Sequence, residues 1–250
     1  MDGRARRRVA ILQSCYIPWK GYFDIIGSVD AFVVYDDVQY RKNHWHNRNL
    51  IKTQAGLSWL TIPVTTGASS FNKIENVTVA QPFARRHWRS LEQNYSAAPY
   101  FETYRSWLLS LYAEAESQTH LGSINLLFLR AICDKLGITT PFFFSSQLSL
   151  EGSRTERLVN ICQALGATSY LSGPSARNYL DTRLFHNAGI DVEWMDYTGY
   201  PEYAQQHGKF EHAVSMLDVV LNTGDKANAF MKWTTHNPRS EIDPQRIRVN

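Results

Sequence analysis

Arg8 to Leu12 (RVAIL) is an unbroken apolar run closed by the polar pair Gln13-Ser14, which predicts a buried strand. Trp19 to Ile26, just after Pro18, reads as a helix, and Ala31 to Tyr35 (AFVVY) as a second buried strand ending at Asp36-Asp37. Strand, helix and strand within thirty residues open a parallel α/β sheet. The texture then changes. Trp45 to Thr53 and Leu57 to Val64 predict two strands of a hairpin around Gln54-Ala55-Gly56, followed by a loop from Thr65 to Asn72. Phe83 to Tyr95, Tyr104 to Glu116 and Ser123 to Leu136 are helical in pattern, the last closed by Gly137.

A second α/β unit follows. Pro141 to Phe144 is a short strand, and Ser153 with Glu156 forms a capping box for a helix that stops at Gly166. Ser169 to Ser172 is a strand, Asp181 to Ala188 a helix, Val192 to Met195 a strand and Val214 to Asn222 a last helix. The expected fold class is α/β, a Rossmann-like parallel sheet with an inserted β-hairpin and helical sub-domain. The expected organisation is a disordered basic tail over 1–8, a single α/β domain over 9–236 with the insertion at about 45–136, and a loose tail over 237–250.

Composition narrows the class. The chain is 44% hydrophobic and 20% charged, which is globular, and its net charge of +3 is too small to name a nucleic-acid partner. Val9 to Leu12 is too short for a signal-peptide core, and no apolar run reaches bilayer length. The 3 Cys are scattered without a CxxC pair, which indicates neither a zinc ribbon nor a disulfide framework. The expectation is a cytoplasmic protein without a membrane span.

Candidate chemistry concentrates at strand exits, where open α/β sheets bind ligands. Gln13 to Tyr22 follows the first strand. Within it, Cys15 is a candidate nucleophile if a helix N-terminus stabilises its thiolate. Asp36-Asp37 follow the second strand as candidate Mg²⁺ ligands over a diphosphate, although adjacent strand residues point to opposite faces. From Asp37 to Glu75 there is no acidic residue, while Arg41, Lys42, Arg48, Lys52 and Lys73 alternate with His44, His46, Tyr40 and Trp45. That suits an anionic, ring-bearing ligand. Asn47 and Asn49 flank Arg48 and can read hydroxyls or an amide, and His46 is a candidate base. Arg85, Arg86 and Arg89 form a second basic cluster on a helix. Gly173 and Ser175 mark a third strand exit, where a backbone approach or a helix cap can meet phosphate.

These blocks carry a resemblance. ILQSCYIPWKGYFDIIGSVDAFVVYDDVQYRKNHWHNRNLIKT, WLTIPV, SRTERLVNICQALGATSYLSGPSARNYL, AGIDVEWMDY and FEHAVSMLDVVLNTG together resemble the WbqC-like protein family, from about Val9 to Gly224. The matching positions include Gln13, Tyr16, Asp37, Gln39, Lys42, Trp45, Asn47, Arg48, Asn49, Gly173 and Tyr179. The resemblance implies a bacterial biosynthetic protein of surface-polysaccharide (O-antigen) or secondary metabolism. Pro18 to Tyr22 also resembles a degenerate HxGH loop of nucleotidylyltransferases, without either histidine, which bears on fold more than reaction.

The leading expectation is a transferase modifying an amino sugar or related amine with an activated acyl or aminoacyl donor. Asp37, His46 and Cys15 are its catalytic candidates. Gln13, Tyr16, Gln39, Lys42, Trp45, Asn47, Arg48, Asn49, Gly173, Ser175 and Tyr179 are its substrate-binding candidates. The donor expected is an acyl-carrier or coenzyme A thioester, with an acyl or peptidyl carrier protein as partner and a phosphorylated or carrier-linked small molecule as substrate. The alternatives are a Mg²⁺-dependent glycosyl- or nucleotidyltransferase, and a non-catalytic RNA- or scaffold-binding protein.

Overall fold

Alternation along two adjacent strands sets the architecture. In β1 (Arg8–Leu12) and β2 (Ala31–Val34), Val9, Ile11, Ala31 and Val33 enter one apolar cluster. Ala10, Phe32 and Val34 enter another. A strand sends successive side chains to opposite faces, so a sheet of continuous apolar strands must be covered on both sides. Helices do this here. The computed structural model describes residues 6–65, 72–148, 151–152 and 154–235.

β1 leads through α1 (Lys20–Gly27) to β2. A hairpin follows, β3 (Arg48–Thr53) and β4 (Gly56–Thr61), paired antiparallel, and then the short antiparallel pair β5 (Val64–Thr65) and β6 (Thr78–Val79). Helices α2 (Ala84–Tyr95), α3 (Phe101–Glu116) and α4 (Leu121–Leu136) come next. The chain re-enters the main sheet as β7 (Phe142–Phe144), then runs through α5 (Arg154–Ala164), β8 (Ser169–Ser172), α6 (Thr182–Asn187) and β9 (Asp191–Trp194) to α7 (Met216–Thr223). The five main strands are parallel in the order β7-β2-β1-β8-β9. This is the Rossmann-like sheet expected. The chain builds outward from β1 in one direction, then returns to β8 beside β1 and builds in the other. The β1–β8 boundary is therefore the topological switch point, and its carboxyl end is where such sheets bind ligands.

Helices α1, α2, α3, α4 and α7 share one apolar cluster with Ala10, Phe32 and Val34, so the inserted helices pack on the sheet itself. Helices α5 and α6 cover the other face through Val159, Ile161, Cys162 and Phe185. α4 stops where anticipated, because Gly137 takes φ 68°, a conformation that disfavours side chains with a Cβ.

Four boundaries differ from the sequence expectation. The strand expected from Trp45 starts at Arg48, and Lys42 to Asn47 form turns. The strand expected over Leu57 to Val64 splits around Pro63, which has no N–H to give to a ladder. Arg6 to Arg8 belong to the folded part: Arg6 and Arg8 both pair with Glu193 on β9, and Arg8 starts β1. Asp181 caps α6 by accepting from the Arg183 N–H. The expected capping serine, Ser153, the core of the loop at 66–71 and the tail over 237–250 lie outside the described residues. Among the described residues no helix is long and apolar enough to cross a membrane.

Candidate functional site

Three side chains from three elements converge on Ser14, the second residue after β1. The Ser14 N–H donates to the Asp36 carboxylate (2.8 Å), and the Ser14 hydroxyl also bonds Asp36. His46 Nδ1 lies 3.0 Å from the Ser14 carbonyl. The Asn125 amide, on the buried face of α4, donates to Ser14 Oγ (3.0 Å) and to the His46 carbonyl (2.9 Å). Ser14, Asp36, His46 and Asn125 are all buried.

The protonation pattern follows from these partners. A carbonyl only accepts, so the His46 proton sits on Nδ1 and the lone pair on Nε2. Burial pushes the imidazole down to about 4, so His46 is neutral at physiological pH. Nε2 is buried and has no hydrogen-bond partner among the described residues. The same argument fixes Asn125: its NH₂ faces a carbonyl, which leaves Oδ1 as a buried acceptor without a donor among the described residues. Burial raises the Asp36 carboxyl to about 6, against the lowering effect of its Ser14 bonds. Its second oxygen faces Gly122, in the first turn of α4. The cluster is therefore rich in acceptors, and a ligand meeting it must bring N–H or O–H donors.

The expected catalytic residues divide. His46 is in this cluster. Asp37 is not: it turns the other way, into an ion pair with Arg157 of α5 and a hydrogen bond from Ser145. Each of its oxygens has a structural partner, Ser145 on Oδ1 and Arg157 on Oδ2. Asp36 and Asp37 lie just past the end of β2 and diverge by their partners, Asp36 to Ser14 and Asp37 to Arg157 and Ser145. Among the described residues no group of three or more His, Cys, Asp or Glu side chains is arranged to hold a metal. Cys15 lies five residues before α1, not at its N-terminus. Burial and the nearby Asp36 push its thiol well above the ordinary range, and it packs against the apolar cluster. Among the described residues no cationic group is seen to stabilise its thiolate.

The expected binding residues also sort by environment. Tyr16 is fully buried, its hydroxyl 2.9 Å from His87 Nδ1 and 3.1 Å from Tyr112. His87 gives its Nε2 proton to the Thr61 carbonyl, so Nδ1 accepts from Tyr16. Asn49 is saturated: its amide donates to the Tyr16 and Ile17 carbonyls and its oxygen accepts from Leu50 N–H. It clamps a loop in which Ile17 holds φ 41°, an unfavourable value for a β-branched residue. Asn47, just before β3, donates to the Ile62 carbonyl, and its Oδ1 has no partner among the described residues. These three, Asn47 and Asn49 chosen as polar groups flanking Arg48 and Tyr16 as a position matching the family, are all buried and bonded within the loop and hairpin.

Gln13 is half-buried, and its carbonyl accepts from Tyr22 Oη at 2.9 Å. Gln39 and Lys42 are exposed, Gln39 bridging to Lys73. Trp45 and Arg48 meet on the open face of the hairpin. Trp45 packs on Trp59 at 5.2 Å, and the Arg48 guanidinium lies 4.2 Å from the Trp59 ring centre. At the β8 exit Ser175 and Tyr179 are exposed. A Cβ on Gly173 would lie 3.6 Å from Tyr197 Oη, and Tyr197 packs on Trp19 at 4.8 Å. The β8 exit thus reaches the β1–α1 loop through two aromatic rings.

Sequence reasoning missed Ser14 and Asn125 as site residues and used Asp36 only as a metal ligand. Asn125 carried a signal, being a polar residue in the apolar stripe Leu121, Ile124, Phe128, Leu129 and Ile132 of α4.

Comparison with known proteins agrees over the same span. No solved structure matches the chain. A Mycobacterium tuberculosis (strain ATCC 25618 / H37Rv) protein called "Uncharacterized protein Rv1507c" is 47% identical over 228 residues, covering 91% of this chain and 98% of the relative. The model of the WbqC-like protein family matches residues 13–230, from the loop after β1 past the end of α7, and the chain belongs to that family.

Proposed function

We propose that this chain is a biosynthetic transferase that forms an amide on an amine acceptor, using an activated acyl or aminoacyl donor, with the Ser14 cluster as the acceptor site. The observation that carries this reading is the buried, unprotonated and unpartnered Nε2 of His46. Beside it stand two further acceptors, Asn125 Oδ1 and the Asp36 carboxyl. An amine supplies the donors this set lacks. An anionic group would face lone pairs and a carboxylate.

In the reaction the amine nitrogen attacks the acyl carbon of the donor. Its surplus proton passes to His46 Nε2, and the tetrahedral intermediate expels the donor's thiolate or phosphate with the C–N bond retained. A base held near 4 is weak, but the nitrogen it deprotonates is a cation bonded to a tetrahedral carbon and is correspondingly acidic. The Nδ1–H bond to Ser14 fixes the ring orientation, as the third member of such relays does.

The test is a mass-spectrometric screen of acyl-coenzyme A and acyl-carrier thioesters against amino-sugar acceptors. Amide formation is expected, with kcat reduced roughly 10²-fold or more in H46Q and KM for the amine raised in N125L. Amide formation undiminished in H46Q, or product formed only on hydroxyl acceptors, would sink the assignment.

A further inference from the structure

The first two turns of α2 carry Arg85, Arg86 and Arg89, which with Pro82 and Phe83 line a surface concavity of about 280 Å³. We infer that this concavity binds a phosphate-bearing small molecule, with the diphosphate group as its minimal ligand. The inference is independent of the acceptor site proposed above.

Three observations converge. The first is placement against electrostatic preference. The N-terminal turn of a helix favours acids, yet α2 has none there and two arginines instead. Arg85 and Arg89 are also one helical turn apart, a repulsive spacing for like charges. The second is the absence of compensation. Among the described residues no carboxylate pairs with Arg85, Arg86 or Arg89. Glu116, which approaches the start of α2, uses its carboxylate to accept from the Ala84 N–H at 2.8 Å and forms no ion pair with the three arginines. The third is shape and anchoring. The arginines line a concave surface, and Arg86 is pinned by a 3.0 Å bond to the Thr61 carbonyl. Three guanidinium forks on one wall match phosphate oxygens, which accept paired N–H donors. The α2 N-terminus itself is occupied by the Glu116 carboxylate, so the positive potential of the concavity comes from the three guanidinium groups.

The site also connects to the rest of the molecule. The Thr61 carbonyl that holds Arg86 accepts from His87 as well, and His87 bonds Tyr16. An anion drawing Arg86 inward therefore acts next to the β1–α1 loop.

The probe is inorganic pyrophosphate, titrated calorimetrically into the full chain at low salt, with sulfate as a simple-anion control. One-to-one binding is expected, at least roughly tenfold tighter than sulfate, with each of R85A and R89A weakening it roughly tenfold. Neither side chain bonds another described residue, so both variants fold, and their melting temperatures without ligand match or exceed that of the parent. The double variant R85K/R89K keeps the charge and loses the forks, and several-fold weaker binding is expected of it. Absent pyrophosphate binding, unchanged affinity in R85A and R89A, or full affinity in R85K/R89K would each overturn the inference, the last by reducing the site to diffuse attraction.

Discussion

Asp37 offers the sharpest test of how the strand exits are built. If it anchors α5 to the sheet, D37A must damage the fold. The Asp37 and Arg157 side chains are 6% and 19% exposed, so the pair is mostly shielded from water. Removing one member of a buried pair costs roughly 3–5 kcal/mol, because the other charge stays behind. Partial exposure of Arg157 moves the figure to the lower end, and the lost Ser145 bond keeps it from falling further. The expected loss is about 3 kcal/mol, or roughly 6–12 °C in melting temperature for a chain of this size. D37N keeps a partner for Ser145 and loses only the charge, so an intermediate loss is expected. The assay is a double-mutant cycle of D37A and R157A by urea denaturation. A coupling of at least about 2 kcal/mol is expected, well above the ~0.5 kcal/mol scatter of independent sites. A D37A protein that melts within about 2 °C of the parent, with additive energies, would restore Asp37 as an unburdened carboxylate and refute the anchoring argument.

Acid stability follows from the buried titrating groups. Burial holds both His46 and His87 down to about 4, below the ordinary 6.5, so the stability they contribute is present above pH 6.5 and is lost as pH falls toward 4. Asp36, raised to about 6, works in the opposite sense: its share is present at low pH and is lost as pH rises through 6. With roughly 3 kcal/mol for each group, acidification from pH 7 to 4 should remove a net ~3 kcal/mol. H46N should flatten that acid limb by a similar amount, and an unchanged pH profile in H46N would contradict the assigned neutral state. Burial pushes Cys15, Cys133 and Cys162 all upward, so the native chain should resist iodoacetamide at pH 8 and label only after denaturation. Rapid native labelling of Cys15 would revive it as a nucleophile. G224A should lose about 3 kcal/mol or more by thermal melt, since φ 58° is joined to a Cβ only 2.3 Å from the Tyr100 ring. A melting temperature near the parent's would show that Tyr100 moves aside freely.

Much of the frame was legible in the chain because it rests on local patterns. The runs RVAIL and AFVV can only be buried strands, and α4 announces itself by an apolar stripe and a terminal glycine. The site was legible only in part, because its chemistry depends on contacts between distant positions. Ser14 and Asn125 are 111 positions apart. Nothing local distinguishes Asp36 from Asp37: which of two adjacent acids meets Ser14 and which meets Arg157 is set by the path of the loop after β2 and by the placement of α5. The turn from Lys42 to Asn47 defeated the alternation argument, since a turn can bury His46 while leaving Trp45 exposed, as two successive strand faces also would. Asn49 is marked by polarity, yet that polarity is consumed within the fold, clamping the Tyr16 and Ile17 carbonyls.

The separation of charge between the two proposed sites gives the reading its physical content. An unpaired buried acceptor costs roughly 1–3 kcal/mol, and the Ser14 cluster holds two whose proton assignments are fixed by carbonyls, His46 Nε2 and Asn125 Oδ1. Hydrophobic side chains at these positions would remove that burden, so its retention fits a site that waits for donors. Such a site repels phosphate. On α2 the imbalance has the opposite sign, with three guanidinium groups in one concavity and no carboxylate paired to them among the described residues. A transferase joining an amine to a donor that bears phosphate needs both environments and must keep them apart, since a pocket of mixed sign would bind each substrate in the other's place. His87 lies between them, bonded through Tyr16 to the loop that carries Ser14 and through Thr61 to the carbonyl that holds Arg86. H87F, which removes both His87 bonds while filling the volume, should therefore weaken any cooperation between amine and pyrophosphate binding while leaving each site's own side chains in place.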